Sequence, residues 1–288
     1  MSELARRIVE EFTAADDIRD AGLTTPPDVE RLDDIRYGPD PKWQVMDLYK
    51  PKGAAGPLPV IVSFHGGGWV YGDKERYQYY CMDLARRGFG VLNYTWRLAP
   101  EFRFPAPMED CNLVMTWLMK NGRAHGLDTD RVFGVGDSAG AHGMGLYACI
   151  LTNPAYAARY PFTPPEGLRL RAVALNCGVY KVEADPNGLM SIYLPGGGTP
   201  EELDTVSVMD HVTPDFPPTF LMTAPQDMLK AEAAPMSALL AEKNVEHVLH
   251  FYTDAERTIA HVFHLNIRHP DAIRCNDDEC AFFRAHMD

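Results

Sequence analysis

No run in this 288-residue chain approaches the ~18 consecutive apolar residues of a membrane-spanning helix, so none is expected. The first stretch, MSELARRIVEEF, is charged throughout and lacks the apolar core of a secretory signal. Positive charge is scarce: 27 Lys and Arg stand against 40 Asp and Glu, a formal net charge of −13. Such a surface repels phosphate backbones and anionic lipid, so neither nucleic acid nor a membrane is an expected partner. Cysteine is thin and scattered, at Cys81, Cys111, Cys149, Cys177, Cys275 and Cys280. A disulfide scaffold needs a short, cysteine-dense secreted chain, so free thiols in a reducing cytoplasm are expected instead. The chain contains neither an internal repeat nor a low-complexity linker. The spacings H-E-x-x-H and paired C-x-x-C are missing too, even around His261, His264, His269, Cys275 and Cys280, so no metal site is expected.

What is present is an ordinary globular composition, 46% hydrophobic and 23% charged. Short apolar runs bounded by Gly and Pro alternate with helical periodicity. The pattern predicts strands at 43–49, 58–64, 89–94, 131–135, 170–176, 218–224 and 247–253. It predicts helices at 75–87, 107–121, 138–152, 230–243 and 271–285. This is the signature of an α/β domain with a mostly parallel sheet covered on both faces. Residues 34–49 are expected to form a hairpin-like pair with 58–64, adding antiparallel strands at one edge. Two regions break the rhythm: the N-terminal segment 1–33, one amphipathic helix and then a proline-rich stretch, and the connection 177–215 with Pro195-Gly196-Gly197-Gly198. Long loops inside compact α/β domains are usually functional. Both are expected to form a small cap over the C-terminal edge of the sheet, where open α/β sheets bind ligands. The whole of 1–288 then reads as one catalytic domain.

The strongest chemical signal is Gly136-Asp137-Ser138-Ala139-Gly140, between the predicted strand RVFGV and a predicted helix. A nucleophile elbow needs that context, with tiny residues two before and two after the serine. The helix N-terminus places its positive end near a developing oxyanion. Gly140, Gly143 and Gly145 each weaken the helix by about 1 kcal/mol relative to alanine, which close packing on the sheet would explain. The overlapping G-x-G-x-x-A at 134–139 also fits a dinucleotide fingerprint. That fingerprint wants an acid about 20 residues on, and Ala158-Arg159-Tyr160-Pro161-Phe162 offers none, so no cofactor is expected. The second signal is His65-Gly66-Gly67-Gly68-Trp69, directly after the strand VIVSF. Acyl transfer passes through a tetrahedral oxyanion and needs backbone N–H donors aimed at one point. Glycines let the backbone approach that point.

HGGGW at 65–69, YTWRLAPEFRFPAPMED at 94–110 and GDSAG at 136–140 together resemble the hormone-sensitive-lipase-like family of α/β-hydrolase esterases. The segment from Tyr37-Gly38 through Val45–Pro51 is similar to the start of small acetyl-esterase and feruloyl-esterase-like hydrolases. The resemblance covers the chain from about residue 34 onward. It implies an α/β-hydrolase fold, no cofactor, and an oxyanion hole from the backbone of Gly67, Gly68 and Ala139. A serine nucleophile needs a histidine base and an orienting carboxylate, in chain order Ser, Asp, His for this fold. Asp227 follows the strand PPTFLMTA, and its Asp-Met-Leu matches the family's Asp-x-Leu. His261 and His264 both lie in the loop before the final helix. His261 begins His-Val-Phe, like the family's His-x-Phe, and is favoured, with His264 the alternative.

The expected activity is hydrolysis of short acyl esters through Ser138, His261 and Asp227 and an acyl-enzyme. Acetyl groups on sugars are a target by family likeness. Trp69, Tyr71, Tyr180 and Tyr193, with Met190, are the candidate substrate-binding residues. An arylformamidase-like amide hydrolase or a feruloyl esterase is the alternative. A ligand receptor without catalysis is the remote one, because serine, acid and histidine are all present. The expected partner is a small-molecule ester, and an edge strand near the C-terminus could pair in a homodimer.

Overall fold

The alternation of apolar runs and helical segments becomes a series of βαβ units in the structure, a computed structural model that describes residues 2–288. In chain order the elements are α1 (Glu3–Asp20), β1 (Val29–Arg36), β2 (Val45–Pro51), β3 (Leu58–Phe64), α2 (Lys74–Arg86), β4 (Gly90–Tyr94), α3 (Ala106–Asn121), β5 (Leu127–Asp137) and α4 (Ala139–Thr152). There follow α5 (Pro154–Ala157), β6 (Leu170–Asn176), α6 (Leu189–Tyr193), α7 (Pro200–Val206), β7 (Thr219–Thr223), α8 (Lys230–Glu242), β8 (His247–Phe251) and α9 (Pro270–Ala285). Among the described residues the strands form one eight-stranded sheet in the order β1-β2-β4-β3-β5-β6-β7-β8. The pairs β1–β2 and β2–β4 are antiparallel, and every pair from β4 onward is parallel. This is the α/β-hydrolase arrangement.

The interior of the sheet is buried on both faces because its central strands are apolar on both. Along β3, Val60, Val62 and Phe64 join one core with Met144 of α4 and Met115 of α3. Ile61 between them joins the other core with Leu84 of α2 and Phe283 of α9. Successive side chains of a strand point to opposite faces, so one continuous apolar run serves two layers. The same fact corrects the expected hairpin. Residues 34–49 do not pair with 58–64. Instead β1 pairs with β2, and β2 joins β4, with Leu48 opposite Leu92. β3 lies inside the sheet between β4 and β5, where both of its backbone edges are paired and both of its apolar faces are buried. The charged β1, VERLDDIR, takes the edge.

The glycines of α4 set how closely that helix approaches the sheet. A Cβ at Gly140 would strike the Phe64 carbonyl oxygen, and one at Gly143 would sit 2.6 Å from the Phe64 ring. The two irregular regions behave differently from each other. Segment 177–215 contains α6 and α7 and sinks into the core: Tyr180, Ile192, Tyr193, Leu194, Val206 and Val208 are all buried. Helix α1 stays on the surface, where only Ala5 is fully buried. It is tied down by polar contacts. Tyr71 Oη donates to Asp16 Oδ2 at 2.8 Å, and Arg268 Nη1 donates to the Ala21 carbonyl at 2.9 Å.

Candidate active site

Ser138 sits between β5 and α4 with φ 53° and ψ −118°. A non-glycine residue in that region is strained, and such strain persists only when the surroundings over-determine it. Here they do. A Cβ at Gly136 would overlap the Gly140 carbonyl, and one at Gly140 the Phe64 carbonyl, so the turn closes only with glycine on both sides. The Ser138 N–H donates to the Asn176 carbonyl at 2.9 Å, fixing the turn to β6. Ala139 is the first residue of α4, so its N–H has no intrahelical acceptor and points outward with the positive end of the helix.

The second turn follows β3. Gly67, Gly68 and Trp69 all have positive φ, at 113°, 59° and 63°. A Cβ on Gly67 would strike the Tyr71 carbonyl. The Gly67 carbonyl accepts from the Val70 and Tyr71 N–H groups at 3.2 and 3.0 Å, which turns the chain back on itself. Among the described residues, neither the Gly67 nor the Gly68 N–H has a backbone acceptor. At the base of this loop the Gly66 N–H donates to Tyr77 Oη at 2.9 Å, and Tyr77 Oη donates to Asp137 Oδ2 at 2.8 Å.

The third part comes from the loops after β7 and β8. His261 Nδ1 lies 2.6 Å from Asp227 Oδ1. An ionised carboxylate only accepts, so Nδ1 is the donor, and in the neutral ring Nε2 is the nitrogen that keeps the lone pair. Asp227 also accepts from Thr223 Oγ1 at 2.7 Å and from the Leu229 N–H at 2.9 Å. Burial raises its carboxyl, but the hydrogen bonds from His261, Thr223 and Leu229 outweigh that and hold it below the usual range. His264, the alternative base, is fully buried and edge-on to Tyr80. Burial, then the neighbouring His261, lowers its ring to about 3. Among the described residues neither of its ring nitrogens has a hydrogen-bond partner.

Ser138, His261 and Gly67 open onto one cavity of about 230 Å³. Its other walls are Phe12, Ala15, Asp16 and Arg19 of α1, Tyr71 and Tyr77, Asp137, and Met228, Val262 and Leu265. Of the four aromatic residues expected to bind substrate, only Tyr71 lines it. Trp69 stacks on Tyr193 with ring centroids 5.2 Å apart, and its Nε1 donates to His142 Nδ1 at 3.3 Å. Tyr180 donates to the Leu175 carbonyl at 2.7 Å. These three rings, and Met190, are buried core residues rather than cavity wall. Sequence reasoning missed the α1 residues because an amphipathic surface helix does not say which later loops it will cover. It also missed Tyr77, which has no motif of its own.

Cys177, Asp227 and His261 each offer one ligand atom, and these lie within 4.8 Å of one another. A cation bound there would displace the His261–Asp227 hydrogen bond. Burial, reinforced by the charge of Asp227, also holds the Cys177 thiol well above its usual range, against the thiolate a metal needs. The trio suits a hydrogen-bonded pair better than a ligand set.

A strained serine between a strand and a helix, a glycine loop with free N–H donors, and an acid-held histidine in an α/β-hydrolase sheet define a carboxylic ester hydrolase. Residues 46–243 match the BD-FAE family, and the chain belongs to it. The versiconal hemiacetal acetate esterase of Dothistroma septosporum is 29% identical over 214 residues, 69% of this chain and 65% of that relative's length. Carboxylesterase NlhH of Mycobacterium tuberculosis is 27% identical over 259 residues, 81% of this chain and 79% of its own. Among solved structures, esterase B from Lactobacillus rhamnosis superposes with a TM-score of 0.89 at 26% identity, covering 98% of this chain and 94% of that one.

Proposed function

We propose that the chain hydrolyses short acyl esters with Ser138 as nucleophile, His261 as base and Asp227 as orienting acid. The observation that carries this reading is that Ser138, His261 and Gly67 share one cavity while Asp227 holds Nδ1 of His261. His261 Nε2 takes the proton from Ser138 Oγ as Oγ bonds to the ester carbonyl carbon. The N–H groups of Gly67, Gly68 and Ala139 hold the resulting oxyanion. Collapse breaks the bond to the alkoxy oxygen, which leaves as the alcohol with the proton from Nε2. Water, deprotonated by the same nitrogen, then releases the acid from Ser138. Asp227 stays ionised throughout and stabilises the imidazolium, in keeping with its lowered carboxyl.

A cavity of about 230 Å³ is smaller than the ~300–1,000 Å³ typical of drug-sized ligands, which favours short acyl groups. The relative named for a hemiacetal acetate supports acetate esters. In this reading acetyl groups on sugars are the natural class, and α1 is the cap over the site. A cytoplasmic setting fits the six cysteines, all free and buried. A homodimer would pair the edge strand β8, where Leu249 and Phe251 are exposed.

A p-nitrophenyl ester series from acetate to decanoate tests the acyl preference, run beside acetylated xylo-oligosaccharides. The expected result is a maximum at two to four carbons (on the order of one small cavity) and a steep fall beyond. Ser138→Ala should lose ~10⁴-fold or more in kcat with the fold intact. Near-normal activity in that variant would overturn the assignment.

A further inference from the structure

We propose that Tyr77 is a positioning residue for this reaction, its hydroxyl clamping the oxyanion loop to the nucleophile turn through Gly66 and Asp137. The inference rests on the serine-hydrolase reading above and adds to it a residue from outside the two motifs. The two loops it joins come from neighbouring strands. Their ladder, β3 with β5, ends at Phe64 opposite Gly136. One residue further along each chain are His65 and Asp137; two further are Gly66 and Ser138. Tyr77 reaches in from α2 and closes the gap. It accepts from the Gly66 N–H at 2.9 Å and donates to Asp137 Oδ2 at 2.8 Å. Tyr77 is 5% exposed and Asp137 3%, so water is a poor substitute for either bond.

The parts are close enough for the clamp to set geometry. A Cβ on Gly66 would lie 2.5 Å from Asp137 Oδ2 and 3.0 Å from Tyr77 Oη. Gly66 precedes the donor Gly67, and Asp137 precedes Ser138. A shift in either partner therefore passes along a single peptide unit to a reacting group. Oxyanion donors work only when aimed at where the charge develops, and a misplacement of ~1 Å costs ~10²-fold. Removing the hydroxyl leaves the Gly66 N–H and the Asp137 carboxylate buried without the group that joins them.

Steady-state kinetics on p-nitrophenyl acetate test the clamp. Tyr77→Phe is expected to lower kcat by about 10- to 100-fold while KM moves less than about threefold. The rate of labelling by a fluorophosphonate should fall by a similar factor, since phosphonylation uses the same donors. Asp137→Asn keeps an acceptor for Tyr77 and should retain more kcat than Asp137→Ala. The Tyr77→Phe/Asp137→Ala double variant should fall no further than about threefold below the slower single one, because both cut the same link. A Tyr77→Phe enzyme within about twofold of the parent kcat, a loss confined to KM, or losses that multiply in the double variant would each overturn the proposal. If Tyr77→Phe does not fold, the contrast between Asp137→Asn and Asp137→Ala decides. Retained activity in Ser138→Ala would instead sink the underlying reading, so the two failures are distinguishable.

Discussion

The turns that carry Ser138 and the Gly67–Gly68 donors are held in place by exclusion. Gly67, Gly136 and Gly140 fill positions where a Cβ would strike backbone, and the strain at Ser138 is fixed by the close turn between β5 and α4. Helix α1, which covers the same cavity, is held by polar ties: Asp16 to Tyr71, Arg19 to the Arg76 carbonyl, and Arg268 to the Ala21 carbonyl. The first kind of support is unforgiving, because no relaxation makes room for an extra carbon. The second is adjustable, because each tie is a partly exposed contact of modest worth. In the proposed mechanism the reaction chemistry rests on the rigid part and substrate fit on the adjustable one.

The sharpest way to separate the two is to crowd the cavity from the adjustable side. Ala15→Phe adds a ring to the α1 wall. It should lower kcat/KM on the butyrate ester by ~10-fold or more, and on the acetate ester by less, while Ser138 still reacts with a small fluorophosphonate. Equal losses on both esters would mean that α1 supports the chemistry itself.

The rigid part has its own signature in pH. Glu279 is buried behind the site and accepts from Asn176 Nδ2 at 2.6 Å and Tyr80 Oη at 3.1 Å. Burial pushes its carboxyl up to about 7, only partly offset by those hydrogen bonds. The folded chain therefore binds this proton more tightly than the unfolded one. Its contribution is fully present below the unfolded value of 4.5 and is lost as pH rises towards about 7. Glu279→Gln should flatten urea-unfolding stability across that window by roughly 1–3 kcal/mol relative to the parent. An unchanged slope would assign the pH dependence elsewhere. The smallest effect is expected at Tyr180. Tyr180→Phe removes the donor to the Leu175 carbonyl, which should cost about 1 kcal/mol in the same unfolding measurement. KM should stay within about twofold, and a larger change would put that ring back among the substrate contacts.

The same contrast explains what could be read from the sequence. Gly136, Gly140 and Gly67 announce themselves because close backbone approach leaves no alternative residue, and their spacing from the strands gives the elbow and the loop. Chain order points to the loops that hold Asp227 and both His261 and His264; likeness to the family's Asp-x-Leu and His-x-Phe favours Asp227 and His261, and in the structure these two lie in a 2.6 Å contact. The sheet is legible wherever strands are apolar on both faces, as in β3, but not at the early edge, where chain proximity suggests a pair of 34–49 with 58–64 and β2 joins β4 instead. Trp69, Tyr180 and Tyr193 mislead because an aromatic side chain near a motif looks the same whether it faces substrate or core. Only packing decides, and here Trp69 and Tyr193 stack on each other. Phe12, Asp16 and Arg19 were invisible as site residues, since their role depends on where a surface helix docks.

That docking also has an order in time. During synthesis α1 emerges before every residue it packs against, from Tyr71 and Arg76 to Arg268. The nucleophile turn and the glycine loop need β3, β5 and α4, and then the Asn176 carbonyl of β6 to which the Ser138 N–H donates. The α1 wall of the cavity gains its tie to Arg268 only after that residue follows. A nascent chain thus carries Ser138 for some 130 further residues of translation at roughly 5–20 residues per second, and through that interval it has neither His261 nor a finished wall. Under the proposed mechanism the last loop to arrive supplies the base and the latch together, so the site is complete only when α1 is captured.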